Sequence, residues 1–277
     1  MNQTKWYDRI WAAFIFFTRL PFWRLHEPPK ECYKTVVEHW PLAGWLTAGL
    51  MAATLFFASM YLSYMVAVLL AIAVRLLVTG ALHEDGLADF LDGFGGGSDR
   101  ERILAIMKDS HIGTYGVIGL ILYHLLLAAI LVSMTPIMAA LTILAATPFA
   151  RMVTAELVMM MPYARREEEA KAKLIYRKMD LWACASLGVQ GLLPMAIFLW
   201  ITHISWEMVI FIPCLIMYFL YLLIWNKIRG YTGDCCGAVY LIVELTVLLV
   251  ICALNPILES PYDQWAITKE VFSFLNL

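Results

Sequence analysis

The sequence predicts an all-α fold: a polytopic integral membrane bundle of about seven spanning helices, with an amino-terminal interfacial helix ahead of them. Three observations predict it. The 277 residues are 62% hydrophobic and only 15% charged, with a mean hydropathy of +0.73. Several apolar runs reach the ~20 residues that a helix needs to cross a ~30 Å hydrocarbon core. The basic residues gather in a few short segments between those runs. Little chain remains for a soluble domain, so residues 1–277 read as a single membrane-embedded unit.

Residues 10–23, IWAAFIFFTRLPFW, are apolar but short, carry Arg19 and are ended by Pro21. That pattern fits a helix lying in the interface or re-entering it. A cleavable signal is not expected, since residues 1–9 are polar, no A-x-A site follows the apolar run and charges come next. Spans are expected at about 41–63, 65–82, 115–134, 136–161, 181–204, 206–226 and 238–256. Threaded this way, residues 1–40, 83–114, 162–180 and 227–237 share one face and hold 17 of the 20 basic residues. The connections near 64, 135 and 205 hold none. The basic face is the cytoplasmic one.

A net charge of −2 gives no basic surface for nucleic acid. The six cysteines, at 32, 184, 214, 235, 236 and 252, lack zinc-finger spacing and several lie in apolar runs, so they read as small buried or reduced thiols. Arg75, Arg151 and Glu244 lie inside spans, all expected near the cytoplasmic side. Ionisable side chains in lipid usually face a protein interior or a wet cavity. Snorkelling to the surface is an alternative for the arginines and a poor one for a short glutamate.

The acidic stretch HEDGLADFLDGFGGG (83–97) carries the chemistry. Asp85, Asp89 and Asp92 are spaced i, i+4, i+7 and, at 100° per residue, fall within an arc of about 60° on a helix. Carboxylates so close repel one another unless a cation sits among them. Oxygen ligands suit Mg²⁺, which takes one or two carboxylates together with substrate phosphates. Glu84 points roughly 100° away, as a supporting group or a general base. The plainer reading is a solvated face paired with Arg100, Arg102 and Lys108. Against it, the run continues a spanning helix and contains Gly86, a weak helix residue.

The glycines that follow are not a P-loop, because no Gly-Lys-Ser/Thr comes after them. Gly96 and Gly97 lead into Ser98 and Glu101, which have capping-box spacing for a helix to about residue 110. The free N–H groups of such a helix start favour phosphate oxygens. Asp109 and His111 come just before the next span, and His111 and His83 read as surface histidines while His124 reads as a satisfied core residue. A second constellation, IRGYTGDCCGA (228–238), brackets Tyr231 and Thr232 with Gly230 and Gly233. Asp234 then precedes the span that contains Glu244. Two acid-and-glycine motifs on one face can close around one polar substrate.

These residues resemble the cobalamin (5′-phosphate) synthases, the membrane adenosylcobinamide-GDP ribazoletransferases. The resemblance is carried by GALHEDGLADFLDGFGGGSDRERILAIMKDSHIGTYG (80–116) and GYTGDCCGA (230–238), with FFTRLPF (16–22) and the placing of Arg151 and Glu244. It departs at His111, where the family often has arginine, and at Arg229, where a paired glycine often precedes the tyrosine. The resemblance implies that adenosylcobinamide-GDP reacts with α-ribazole or its 5′-phosphate, giving adenosylcobalamin or its phosphate and GMP. It also implies magnesium dependence and the bacterial inner membrane, with the site facing the cytoplasm.

On this reading Asp85, Asp89 and Asp92 hold one or two Mg²⁺ ions on the pyrophosphate. One of Glu84, Asp109 or Asp234 accepts the proton of the attacking ribose hydroxyl. Arg75, Arg100 or Arg151 offset charge on the leaving group, Gly96, Gly97, Ser98 and Thr232 contact the substrate, and Glu244 orients an arginine. The partners implied are those small molecules and the lipid bilayer. Self-association, or association with other cobalamin-assembly enzymes, is left open.

Other classes fit less well. A CDP-alcohol phosphotransferase needs Asp-Gly-x-x-Ala-Arg, and here Asp85-Gly86 leads to Ala88-Asp89. A prenyltransferase of this kind wants a second acidic motif at four-residue steps, and Asp234 has no such companion. A divalent-cation transporter would place ligands near the midplane, often within an inverted repeat. A structural subunit would explain neither acidic motif.

The threading is testable in sealed cells. Ser98→Cys, in a chain stripped of its six native cysteines, should stay unlabelled by an impermeant thiol reagent added outside. Strong outside labelling would overturn the topology.

Overall fold

Apolar runs that cannot leave backbone N–H and C=O groups bare in lipid must satisfy them within the segment, and helices do so. The structure, a computed structural model, describes residues 4–165 and 175–255. In chain order the helices are α1 (Trp6–Phe17), α2 (Trp40–Ser59), α3 (Tyr64–Thr79), α4 (Leu82–Gly96) and α5 (Arg100–Lys108). They continue with α6 (Thr114–Val132), α7 (Pro136–Met160), α8 (Leu181–Thr202), α9 (Trp206–Ile228) and α10 (Gly233–Leu254). Tighter 3₁₀ turns run over Phe22–Arg24 and Lys30–His39. Among the described residues no strand forms; one isolated bridge joins Tyr163 to Tyr231. The all-α membrane bundle is what the sequence predicts. Of the basic residues in the topology argument, Arg166, Lys171, Lys173 and Lys269 lie outside the described residues, as does residue 256 at the end of the last expected span.

Among the described residues, six helical segments are long and apolar enough to cross a membrane, and α3 and α4 taken together as one broken span make a seventh. Here the expected layout is corrected. The segment expected at 65–82 forms a helix of 16 residues, ~24 Å at 1.5 Å per residue, and α4 leaves it at 89°. The acidic run therefore does not continue the spanning helix; it starts a new one across it. The hinge is two successive residues in the left-handed region, Gly80 (φ 65°) and Ala81 (φ 54°). Gly80 is where the side chain of Arg19 packs, and the Arg19 N–H donates to the carbonyl of Val78 at 2.7 Å. Arg19 of the amino-terminal segment thus braces the break.

The inner helices are α7 and α10, with 78% and 61% of their most apolar stretch buried, against 22% for both α8 and α9. The outer faces carry Leu192, Trp200, Phe211 and Phe219 exposed, as a lipid-facing surface requires. Starting α10 at Gly233, five residues before the span expected from 238, changes the depth of Glu244. It is the twelfth of the 22 residues of α10, in mid-helix and not near one end as the sequence suggested.

The amino-terminal helix is shorter than its apolar run: α1 stops at Phe17, and Thr18 turns the chain by adopting extended geometry. It is not an isolated interfacial strap. It folds against the 30–39 segment through Arg9–Glu38 (2.9 Å), while buried Asp8 meets His26 (2.6 Å). This brings Phe16 and Phe17 inward, toward the start of α4.

The hinge yields a paired prediction. An L-residue in the left-handed region costs roughly 1–2 kcal/mol relative to glycine. Gly80→Ala should therefore lower the thermal midpoint in detergent, and Ala81→Gly should raise it. Equal effects of the two changes would contradict the hinge.

Candidate active site

The beginnings of α4 and α10 lie against each other because both carry glycine at the contact. A Cβ on Gly86 would stand 3.1 Å from both the Cα and the carbonyl oxygen of Asp234, and one on Gly237 would stand 3.2 Å from the carbonyl oxygen of His83. The two acid-and-glycine motifs are therefore one piece of structure. Beside the contact is a cavity of about 310 Å³ into which both Asp85 and Asp234 face. Phe16 and Phe17 of α1, Trp40, His83, Tyr163, Tyr176 and Arg165 complete most of its wall.

The three aspartates of the stripe sit at three depths. Asp85 is exposed toward the cavity, Asp89 is half-buried one turn on, and Asp92 is buried. Asp92 accepts backbone N–H groups of Gly113 (2.7 Å) and Gly116 (2.8 Å), one on each carboxylate oxygen. A side chain on either glycine would collide with it. Asp92 thus fastens α4 to the first turn of α6, whose N–H groups need acceptors. Among the described residues no three His, Cys, Asp or Glu side chains converge closely enough to hold a metal by themselves. The arrangement suits a hard ion shared with a substrate's phosphates and held by one or two carboxylates, Asp85 and Asp89 being the two nearer the surface.

Beneath the cavity lies a buried polar network. Arg75 of α3 donates to Glu244 of α10 (2.7 Å) and to the hydroxyl of Tyr123 on α6 (2.5 Å), and reaches Glu84 of α4 at 3.4 Å. Glu244 also accepts from Thr147 of α7 (2.6 Å) and from Tyr240 (2.9 Å). Arg151, fully buried on α7, stacks over the Tyr240 ring at 4.9 Å and donates to Thr47 at 3.1 Å. Two basic and two acidic side chains are so joined through one tyrosine. Glu244 does orient an arginine, and that arginine is Arg75. Neither Arg75, Arg151, Glu84 nor Glu244 lines the cavity. Glu84, expected as a base, and Arg75 and Arg151, expected as phosphate contacts, are buried and bonded within the bundle instead of facing the cavity.

Other expected positions are also structural. Asp99, not Ser98, caps α5, accepting the Arg102 N–H at 2.9 Å, while the Ser98 hydroxyl donates to Asp99. Gly96 ends α4, where a Cβ would make ordinary contact with Ile106 (3.6 Å), and Gly97 admits Ile103 of α5 where a Cβ would clash. Arg100 donates to the carbonyls of Ile228 (3.0 Å) and Ala164 (2.6 Å), tying α5 to the end of α9. Thr232 is the cap of α10, accepting from Cys235 N–H at 3.2 Å. Asp109 is exposed, away from the cavity, and bonded to His111 at 2.6 Å. That bond holds the Asp109 carboxyl below its usual range and raises the exposed His111 imidazole above its own. His111 is a surface histidine, as expected, and His124 bonds the carbonyl of Leu120. His83 is not: it is buried, near-parallel to Phe17 (12°) and Trp40 (18°).

Sequence reasoning missed Arg165 and Tyr163, which served only as part of a basic loop. The structure delivers them through pairing with the second motif: Ala164 N–H donates to Tyr231 (2.8 Å) and Tyr231 N–H to Pro162 (3.0 Å). Gly230 allows it, since a Cβ there would meet the Pro162 carbonyl at 2.6 Å. Arg229, just before, is left-handed (φ 56°), a conformation that glycine adopts without strain. Phe16 and Phe17 were legible only as part of FFTRLPF.

The family model described as cobalamin-5-phosphate synthase matches residues 9–252. A Leptospira interrogans protein named adenosylcobinamide-GDP ribazoletransferase is 34% identical over 253 residues, covering 89% of this chain and 95% of its own. Proteins of the same name from Shewanella putrefaciens (33% over 254 residues; 91% and 96% covered) and Shewanella frigidimarina (34% over 263; 92% and 98%) are similar too. No solved structure matches the chain.

The network predicts a stability defect separate from any rate effect. Glu244→Gln weakens the acceptor of a buried guanidinium, and breaking one side of a buried pair costs about 3–5 kcal/mol. The yield of monodisperse protein in detergent and its thermal midpoint should both fall. A wild-type midpoint would remove Glu244 from the framework.

Proposed function

The chain belongs to the cobalamin-5-phosphate synthase family, and from that premise we infer how it works. It is an adenosylcobinamide-GDP ribazoletransferase of the late steps of cobalamin assembly, a multi-pass membrane protein that joins adenosylcobinamide-GDP to α-ribazole or its 5′-phosphate and releases GMP. The observation that carries the mechanism is that Asp85 and Asp234, from two motifs distant in sequence, line one cavity.

The reaction is a displacement at phosphorus. The oxygen of a ribose hydroxyl bonds to the corrinoid-side phosphorus, the bond from that phosphorus to the GMP oxygen breaks, and the hydroxyl proton passes to a base. Of the three carboxylates first considered as base, Glu84 and Asp109 lie outside the cavity wall, while Asp234 is part of it. Asp234 is the base. Arg165, in the same wall, donates one terminal N–H to the Leu104 carbonyl (2.9 Å) and is the cation of the cavity lining that can meet charge gathering on the leaving phosphate. Such transfers depend mainly on positioning and charge stabilisation.

Magnesium is supported by the chemistry of the donors. Asp85 and Asp89 would hold it together with phosphate oxygens, and when bound it neutralises the pyrophosphate and lowers the cost of the leaving group. Asp92, each oxygen engaged by a backbone N–H, instead fixes the helix that carries the other two. With α3 and α4 as the seventh crossing, the basic loops share the face of the cavity, which supports a cytoplasmic orientation of the site.

Two carboxylate-to-amide changes test this with little change of shape. Asp234→Asn should lower GMP release by about 10²–10⁴-fold, the usual contribution of a general base. Asp89→Asn should abolish magnesium-dependent turnover while membrane insertion and folded yield stay at wild-type level. Near wild-type turnover in Asp234→Asn would detach the second motif from the chemistry. The same result in Asp89→Asn would remove the stripe from metal binding.

A further inference from the structure

The two substrates differ greatly in size, and the cavity is small. Pockets for drug-sized ligands span about 300–1,000 Å³, and this one, at about 310 Å³, is at the bottom of that range. A corrin macrocycle with its peripheral amides exceeds it. A single aromatic heterocycle on a ribose does not. The wall is built for a flat ring. Phe17, Trp40 and His83 lie within 18° of parallel with centroids 5.4–6.3 Å apart, and Phe16, Tyr163 and Tyr176 are further aromatic groups in the lining.

A second observation points to a ligand. His83 is only 3% exposed, yet its Nε2 has no hydrogen-bond partner among the described residues. A buried polar atom left unsatisfied is costly, and a substrate atom can satisfy it. Arg165 lies where this cavity meets an open groove of about 450 Å³ on α5, lined also by Arg100 and Lys108. It lines both spaces.

We propose that the aromatic-walled cavity is the acceptor compartment, taking the aromatic base of the α-ribazole nucleoside against Phe17, Trp40 and the Nε2 of His83, while the corrinoid donor stays outside with its pyrophosphate at Arg165 on the seam. This rests on the transferase reading above and divides its two substrates between two places. It makes His83 a specificity-determining residue that touches the acceptor. Guanine, the other heterocycle in the reaction, then lies outside the cavity with the donor.

The test is a separation of Michaelis constants for GMP release by purified protein in detergent. Stacking and anchoring of one base is worth about 1–3 kcal/mol on alanine substitution, which is about fivefold or more in affinity. His83→Phe keeps a ring but loses the polar atom, and Phe16→Leu trims the wall where it is half-buried. Both should raise KM for α-ribazole at least about fivefold and leave KM for adenosylcobinamide-GDP unchanged. Arg165→Gln should do the reverse, lowering kcat and raising the donor KM. If His83→Phe does not fold, Phe16→Leu carries the test alone. A raised donor KM with an unmoved acceptor KM in Phe16→Leu would place guanine in the cavity and overturn the proposal. Calorimetric titration of α-ribazole into the wild-type and Phe16→Leu proteins keeps the two readings apart. Absent GMP release with intact, Phe16-dependent α-ribazole binding would fault the transferase reading and uphold the cavity. GMP release with equal α-ribazole affinity in both proteins would fault the cavity alone.

Discussion

A guanidinium inside a membrane bundle must be answered by acceptors from its own protein, and Arg75 is the point on which the arrangement turns. The penalty for an unpaired charge at this depth exceeds what packing of any one helix can offset. Arg75 on α3 therefore recruits Glu244 from α10, Glu84 from α4 and Tyr123 from α6. Glu244 extends the network to Thr147 on α7. Five helices are registered to one another by one side chain and its partners. The register matters because Glu84 is adjacent in sequence to Asp85. With Glu84 drawn down to Arg75, Asp85 is left facing the cavity.

Gly86 and Gly237 add the second constraint. They bring the starts of α4 and α10 into backbone contact, so that Asp234 enters the same wall as Asp85. The acids of the two motifs divide accordingly. Glu84 and Glu244 face the buried network, Asp92 caps a helix start, and Asp85 and Asp234 face the space where a substrate can lie. Chemically similar carboxylates within a few residues take different roles because the helix turns them toward different surroundings.

The membrane class was legible because hydropathy reports directly on the solvent around a helix. The pairing of the two acidic motifs was legible from their glycines and their shared face. The perpendicular break at Gly80 and Ala81 was not, since nothing in an apolar run with one glycine announces a 89° turn. Depth was misread for Glu244 because the polar residues Asp234 and Cys235 were taken for a loop, whereas Thr232 caps a helix that already contains them. Gly96 and Gly97 were read as substrate contacts leading into a phosphate-favouring helix start, whereas Gly93 and Gly97 make room for Met107 and Ile103 of α5. Arg165 and the aromatic wall were invisible because they reach the site through tertiary contact, from segments with no chemical motif of their own.

The central claim is that the two motifs act as one site because their backbones touch at Gly86. The most direct measurement is kcat of Gly86→Ala at saturating substrates, normalised to folded protein. An added Cβ would meet the Asp234 backbone at 3.1 Å, so the contact must give by a few tenths of an ångström. Displacement of reacting groups by even an ångström can cost about 10²-fold in rate, so kcat should fall by at least about tenfold while Asp85 and Asp234 are both still present. Wild-type kcat in a folded Gly86→Ala protein would contradict the account, because the chemistry would then not depend on the contact that joins the motifs.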